Sequence, residues 1–426
     1  MGGTIFDRGP LIRGADWARL GAESVRVKNV KIAVVGGGPG GSRAAELLAR
    51  RGARVVLYEP RSAWEKPCGG GVPERGLESC RFLRAPSLPQ KMARNARIHS
   101  PSGREAIVPL AEPLRIYSRR DLNACFLDRA LSCGVDLRAS RATGVDRSGS
   151  GWELRDSRGG SERFDFLIGA DGASGIVRGR VDREKWARDQ SVGVGYYVEG
   201  FTSEEIVLKF FPGLDGYFWV FPRADHLAVG ICGPTGSGQG EALLQALQRF
   251  LMDLYGGSVL RRITKYGARI PSLPGGVPVR RACQGKGWAL VGDAAGFVDP
   301  LTREGIYYAI ASAELLAEAL IEGKPDAYGV RWERRYGGEL GWASGHRDLF
   351  YSRQFIESFT LLAANSSTVQ RVVSDLIAGR QPYVALRRRL ARQAPAAAGS
   401  LALLVLRRIL FGSPQTLPPS LTPLAG

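Results

Sequence analysis

Histidine and cysteine are scarce in this chain of 426 residues, at three and six respectively. The cysteines (Cys68, Cys80, Cys125, Cys133, Cys232 and Cys283) form no C-x-x-C pair. They are too sparse for a disulfide framework, which points to a reducing, cytoplasmic setting. With no zinc-ligand spacing and no basic-aromatic RNA signature, neither a metal nor nucleic acid is an expected partner. No apolar run approaches the ~20 residues that a membrane-spanning helix needs. Acid is in deficit: 41 Asp and Glu face 59 Lys and Arg, for a formal net charge of +18. Such an excess suits an anionic membrane or a phosphorylated small molecule, or a plain solvated surface, and alone it does not choose among them. Residues 1–29 lack an apolar signal-peptide core, and Asp7, Asp16 and Glu23 disfavour a transit peptide. They read as an N-terminal extension. The length suits two or three domains.

The stretch from Lys31 to Pro60 carries the strongest pattern. An apolar run, Ile32 to Val35, breaks into Gly36-Gly37-Gly38-Pro39-Gly40-Gly41, then a helical pattern leads to a second apolar run, Val55 to Tyr58, that ends on Glu59. Gly36, Gly38 and Gly41 have the G-x-G-x-x-G spacing, in which bare backbone lets a pyrophosphate approach the positive end of a helix. Each glycine forgoes roughly 0.5–1 kcal/mol of helix stability against alanine, so five in six positions favour close approach to a ligand over a turn packed for its own sake. Glu59 is placed to accept hydrogen bonds from a ribose hydroxyl.

Farther along, Lys66-Pro67-Cys68-Gly69-Gly70-Gly71-Val72-Pro73 is too rich in proline and glycine for helix or strand and reads as a loop. Cys68 is its reactive side chain, or else a small buried thiol. Residues 81–113 read as irregular, with a hairpin turning at Pro101-Ser102-Gly103. Ser118 caps an expected helix to about Cys133, and Arg119 near its start is a cofactor contact or a surface charge. A strand from Phe166 ends at Ala170-Asp171-Gly172. Four strands fall between 191 and 232; in the third, Tyr217, Trp219 and Phe221 share one face, which suits either a ligand cavity or sheet core. Another strand delivers Asp293 to its tip within Gly292-Asp293-Ala294-Ala295-Gly296, and a helix begins near Gly305. Beyond Asp326 the chain reads as helical and rich in arginine. Leu401 to Phe411 suits either a membrane interface or a helix docked on the body.

The glycine turn with Glu59, Ala170-Asp171-Gly172 and Gly292-Asp293-Ala294-Ala295-Gly296 resemble, in order and spacing, the aromatic-hydroxylase-like flavoproteins. Within them, Pro67-Cys68-Gly69-Gly70-Gly71, the Tyr217-x-Trp219-x-Phe221-Pro222 strand, Asp299-Pro300-Leu301-Thr302 and Gly379-Arg380-Gln381-Pro382-Tyr383 look like the geranylgeranyl reductase family. The resemblance covers about residues 30 to 390 and implies an α/β chain, α+β overall. A Rossmann-like FAD-binding domain (30–80, 114–180 and 280–325) would interleave with a β-rich, antiparallel-sheet substrate domain (81–113 and 181–279), followed by a helical basic region (326–426).

For the site, the resemblance implies FAD on Gly36, Gly38, Gly40, Gly41, Glu59, Arg61, Gly70, Arg119, Asp171, Gly172, Asp293, Gly305 and Ile306. Cys68, Tyr217 and Trp219 would serve catalysis, and Gly71, Tyr217, Trp219, Phe221 and Arg303 would meet substrate. The implied activity is saturation of isolated C=C bonds in an isoprenoid lipid or prenyl diphosphate by hydride from reduced flavin. NAD(P)H or a carrier protein such as reduced ferredoxin would donate the electrons, with peripheral membrane contact through the basic C-terminal helices. Two features depart from the pattern: Arg303 stands where the family has glycine, which would alter the flavin edge or reach an acidic substrate, and residues 1–29 have no counterpart. The competing expectations are a flavin monooxygenase or halogenase, and a prenyl-binding escort protein without flavin. The missing histidine after Gly292-Asp293-Ala294-Ala295 disfavours a hydroxylase, and the complete glycine turn disfavours the escort.

Overall fold

Ile32 to Val35 form a buried strand because they are continuous apolar, β-branched-rich sequence with neighbours on both edges. The computed structural model describes residues 27–62, 64–181, 190–234, 239–272 and 282–393. In chain order β1 (Lys31–Val35), α1 (Pro39–Ala49) and β2 (Arg54–Tyr58) make the opening βαβ unit. After it come β3 (Gly71–Val72), α2 (Glu74–Ser79), β4 (Lys91–His99), β5 (Glu105–Ile116) and α3 (Arg119–Leu131). The middle of the chain supplies β6 (Asp136–Arg138), β7 (Ala142–Ser148), β8 (Gly151–Asp156), β9 (Ser161–Phe164), β10 (Phe166–Gly169) and α4 (Ile176–Val181). Then follow β11 (Gln190–Glu199), β12 (Glu205–Lys209), β13 (Phe218–Pro222), β14 (His226–Pro234), α5 (Gln239–Tyr255) and β15 (Ile263–Pro271). Last are β16 (Gln284–Gly285), β17 (Trp288–Leu290), α6 (Ile306–Ile321), α7 (Ala327–Trp332), α8 (Gly338–Gly345), α9 (Arg347–Phe350), α10 (Arg353–Asn365), α11 (Ser367–Ile377) and α12 (Tyr383–Gln393).

These strands build three sheets. The first, β16-β17-β10-β1-β2-β6, is parallel from β17 to β6 and brings the C-terminal ends of β1, β2, β10 and β17 to one edge. Ligands bind at that edge in open α/β sheets. Helices α1 and α6 pack on each other beside it, over a core that includes Ile32, Val34, Leu48, Leu167, Leu290 and Leu316. A second sheet, β15-β11-β14-β13-β12-β4-β5-β3, is antiparallel except where β12 pairs parallel to β4. Helix α5 covers one part of it around Phe218 and Val220, and α10 and α11 pack on β5. The third sheet is the small β7-β8-β9 meander.

Two local expectations are corrected. Gly71 and Val72, expected in a loop, pair as a short strand with Ile116 and Arg115, and α2 starts just after Pro73. Gly71 can join because it sits at a sheet edge, with β5 supplying the only ladder it needs. Within 81–113, expected to be irregular apart from a hairpin at Pro101-Ser102-Gly103, that hairpin forms and is longer, with β4 and β5 spanning Lys91 to Ile116 and a register shift between Ala93 and Asn95. No helix among the described residues is long and apolar enough to cross a membrane. The segment Leu401 to Phe411 and most of the N-terminal extension lie outside the described residues.

Candidate active site

One cavity of about 600 Å³ opens at the C-terminal edge of the first sheet and runs to the second. Every candidate residue from the sequence borders it: Gly36, Gly38, Gly40, Gly41, Glu59, Arg61, Cys68, Gly70, Gly71, Arg119, Asp171, Gly172, Tyr217, Trp219, Phe221, Asp293, Arg303, Gly305 and Ile306.

At one end the backbone passes from β1 into α1, with Gly38 as the residue before Pro39. A Cβ on Gly41 would lie 1.9 Å from the Gly36 carbonyl oxygen, and one on Gly36, at φ 104°, would lie 2.3 Å from that of Ala170. These two glycines are therefore demanded by the turn itself. Gly38 is different, because a Cβ there would meet nothing within 4 Å. It would point into open space that a ligand on the α1 N-terminus can fill. Glu59 accepts hydrogen bonds from the Gly37 and Arg61 amides, each at 2.8 Å, and its oxygens keep lone pairs for hydroxyl donors. Arg61 stacks over Trp64, with its guanidinium carbon 3.9 Å from the ring centre.

Arg119 is 5% exposed, bonds Asn123 Oδ1 through Nη2, and leaves its Nε without a hydrogen-bond partner. A buried cationic donor left unmatched beside a cavity fits an anionic occupant. The helix that presents it is not capped by the Ser118 side chain as expected. Glu65 caps it instead, accepting from the Ser118 hydroxyl and from the Arg119 and Arg120 amides at 2.8 and 3.1 Å. Those bonds and the nearby Arg223 hold the Glu65 carboxyl below its usual range despite its burial.

Asp293 lies not at the strand tip but in the short 3-10 turn Gly292–Ala295 just after β17, with Lys66 Nζ 3.1 Å from Oδ2. At Gly305, the start of α6, a Cβ would lie 3.1 Å from Asp293 Oδ1, so the helix start packs close to that carboxylate. Asp171 borders the cavity, but its carboxylate accepts the Val177 amide at 3.0 Å at the start of α4, and burial pushes it up to about 6. Its Oδ1 has no hydrogen-bond partner.

At the other end stands the aromatic face. Tyr217, Trp219 and Phe221 line the cavity, whereas Phe218 and Val220 point to the α5 side of the sheet. A Cβ at Gly230 would lie 2.3 Å from the Trp219 ring, so that glycine sets where the indole lies. Leu208, Phe210, Phe350, Leu376 and Ile377 extend the apolar wall onto β12, α9 and α11. Cys68 Sγ accepts from the Gly70 amide at 3.3 Å, and Gly69 and Gly71 pack under the Phe221 ring.

Arg303 borders the cavity with an acid of its own chain already beside it. Its side chain is 3% exposed and ion-paired to Asp215 at 3.5 Å, with Nη1 donating to the Pro300 carbonyl at 2.6 Å. The acid it was expected to seek is supplied by the loop before β13, which no local pattern in the sequence signals. Glu65, Lys66 and Arg223 were also missed, although each immediately adjoins a quoted motif. The basic α12 is partly turned inward, since Arg389 pairs with Asp375 at 2.6 Å.

A glycine turn with open space at Gly38, the unmatched Arg119 donor and the polar groups at Glu59 and Asp293 fit FAD, and fold and site together define an FAD-dependent oxidoreductase. Residues 29–238 match the family described as FAD binding domain. The chain belongs to the geranylgeranyl reductase family of these flavoproteins. It is 32% identical to the geranylgeranyl diphosphate reductase of Rhodobacter capsulatus over 312 residues, covering 68% of this chain and 76% of that one. It is 30% identical to digeranylgeranylglycerophospholipid reductase 2 of Methanothermobacter thermautotrophicus over 336 residues, covering 72% and 84%. A solved geranylgeranyl bacteriochlorophyll reductase-like protein of Thermoplasma acidophilum shares the fold, with a TM-score of 0.71 at 22% identity over 86% of this chain and 99% of that one.

Proposed function

We propose that the protein saturates isolated C=C bonds of an isoprenoid chain, drawing electrons from NAD(P)H or a small carrier protein such as reduced ferredoxin. The observation that carries this reading is the continuous cavity, whose polar end suits FAD and whose far end is walled by Tyr217, Trp219, Phe221 and the apolar residues of α9 and α11. The names of the relatives, which specify geranylgeranyl substrates, support the same reading.

FAD, when bound and reduced, supplies hydride. An isolated alkene has no carbonyl to polarise, so placement and exclusion of water must contribute much of the rate. On this reading Gly36, Gly38, Gly40, Gly41, Glu59, Arg61, Arg119, Gly172 and Asp293 hold the cofactor, and the start of α6 at Gly305 and Ile306 favours negative charge beside it. The aromatic face orients the chain. Burial pushes the Tyr217 phenol well up, so it stays protonated and donates to the Thr302 carbonyl, tying β13 to the loop before α6. Cys68, in the loop between the two ends, positions the alkene or holds a proton at Sγ.

The test is mass spectrometry of prenyl diphosphates and prenyl lipids incubated anaerobically with the chemically reduced protein. The expected result is a gain of two hydrogens per double bond. No hydrogen gain there, together with oxygen-dependent hydroxylation or halogenation in a parallel aerobic incubation, would overturn the reading.

A further inference from the structure

Arg223 follows the aromatic strand directly, and its side chain is fully buried. Nη2 donates to the Cys68 carbonyl at 2.8 Å, and the same nitrogen lies 3.5 Å from Glu65 Oε1. The loop fits the guanidinium closely: a Cβ on Gly70, at φ 80°, would lie 2.5 Å from Nη1. Phe221, two residues earlier and so on the same side of the strand, lies against the same loop, within 3.3 Å of a Cβ on Gly69 and 3.1 Å of one on Gly71. Glu65 in turn caps the start of α3, from which Arg119 reaches the cavity.

We propose that Arg223 is a positioning residue that fixes the Cys68 loop from the substrate sheet and, through Glu65, fixes the start of α3 that carries Arg119. One ion pair, between buried Arg223 and partly exposed Glu65, thereby connects the thiol, the cofactor groove and the aromatic strand, which lie on three separate elements. A buried charge without its partner is strongly unfavourable, so the pair keeps the three elements in a single arrangement. Arginine suits the position because Nη2 carries two N–H groups, one donated to the Cys68 carbonyl and one facing Glu65, on a rigid planar head against which Gly70 packs, whereas a lysine ammonium ends a flexible stem. This assignment does not depend on the identity of the substrate.

The test uses the full chain and two readouts, neither of which is turnover. Iodoacetamide labelling with peptide mass mapping gives the rate at Cys68 relative to Cys133, a half-buried cysteine just beyond α3 that serves as an internal reference. Flavin fluorescence gives the FAD dissociation constant. In Arg223→Lys the Cys68-to-Cys133 ratio should rise about tenfold, with FAD binding weakened by less. In Glu65→Gln the FAD dissociation constant should rise about tenfold, with a smaller rise in the labelling ratio. Arg223→Met should show both effects; if it fails to fold, the other two variants decide. A general loss of packing would raise both cysteines together and leave the ratio unmoved. An unchanged ratio in folded Arg223→Lys, or an unchanged FAD dissociation constant in folded Glu65→Gln, would overturn the proposal.

Discussion

Arg303, buried in the cavity wall, pairs with the partly exposed carboxylate of Asp215, and Arg347 grips the same carboxylate from α9, with its Nε 2.8 Å from Oδ1. Arg303 also holds a left-handed backbone, φ 58°, one of two non-glycine residues with positive φ among the described residues. A side chain in that conformation costs roughly 1–2 kcal/mol, so Arg303→Gly relieves strain while it loses the pair. Its unfolding free energy is expected within about 1 kcal/mol of the parent. Asp215→Ala should cost about 3 kcal/mol, because it leaves two buried guanidiniums without their carboxylate. Urea unfolding of both variants checks the contrast, and equal losses would refute it.

Gly38 and Gly41 should respond differently to the same substitution. Gly41→Ala drives a methyl into the Gly36 carbonyl and should fold poorly, whereas Gly38→Ala meets no protein atom and should melt within a few degrees of the parent when FAD is absent. The Gly38 methyl nevertheless occupies the cofactor's approach, so FAD affinity should fall at least about tenfold. Thermal melts with and without FAD read both effects. If Gly38→Ala bound FAD as tightly as the parent, the pyrophosphate would not lie on this turn.

Gly230→Ala addresses the aromatic end. The added methyl displaces the Trp219 ring, an overpacking that should cost about 1–3 kcal/mol. FAD binding should be unaffected, and oxidation of the pre-reduced protein by a prenyl substrate should slow at least about tenfold. Stopped-flow flavin absorbance measures that rate, and an unchanged rate would remove Trp219 from the substrate site.

Cys68→Ala, with FAD retained, should slow the same single-turnover oxidation. The rate at saturating substrate is the readout, since loss of either candidate role, alkene positioning or proton supply, lowers it even when binding is unchanged. Equal rates in parent and variant would take the thiol out of the mechanism.

Burial raises the Glu304 carboxyl from its ordinary 4.5 to about 7, against the opposing pull of Arg75. An acid whose value is raised by folding binds its proton more tightly in the folded state. Its contribution to stability is therefore most favourable below about pH 4.5 and declines as pH rises to about 7. Glu318, also raised to about 7, acts in the same direction. Subtracting the stability-pH curve of Glu304→Gln from that of the parent should leave a downward slope confined to about pH 4.5–7. A flat difference would show that Arg75 compensates the burial fully.

What the sequence determined by itself is the local chemistry. The β1-α1-β2 unit, the glycine spacing, Glu59 at a strand end, the alternation of Tyr217, Trp219 and Phe221, and the start of α6 at Gly305 are each set within a few residues by periodicity or by backbone shape. The three cofactor blocks could therefore be read together, and each of them reaches one cavity, the third through Gly292 and Asp293. Tertiary structure alone decided which charges meet. Glu65 caps a helix 54 residues ahead, Arg223 reaches back 155 residues to the Cys68 carbonyl, and Asp215 lies 88 residues from Arg303. The energy of such pairs depends on burial and on which strands become neighbours, and neither is written in the spacing around a single arginine or glutamate. The same holds for the aromatic face, whose alternation suited sheet core as well as a cavity wall until the packing of α5 on the opposite side settled which face stays open.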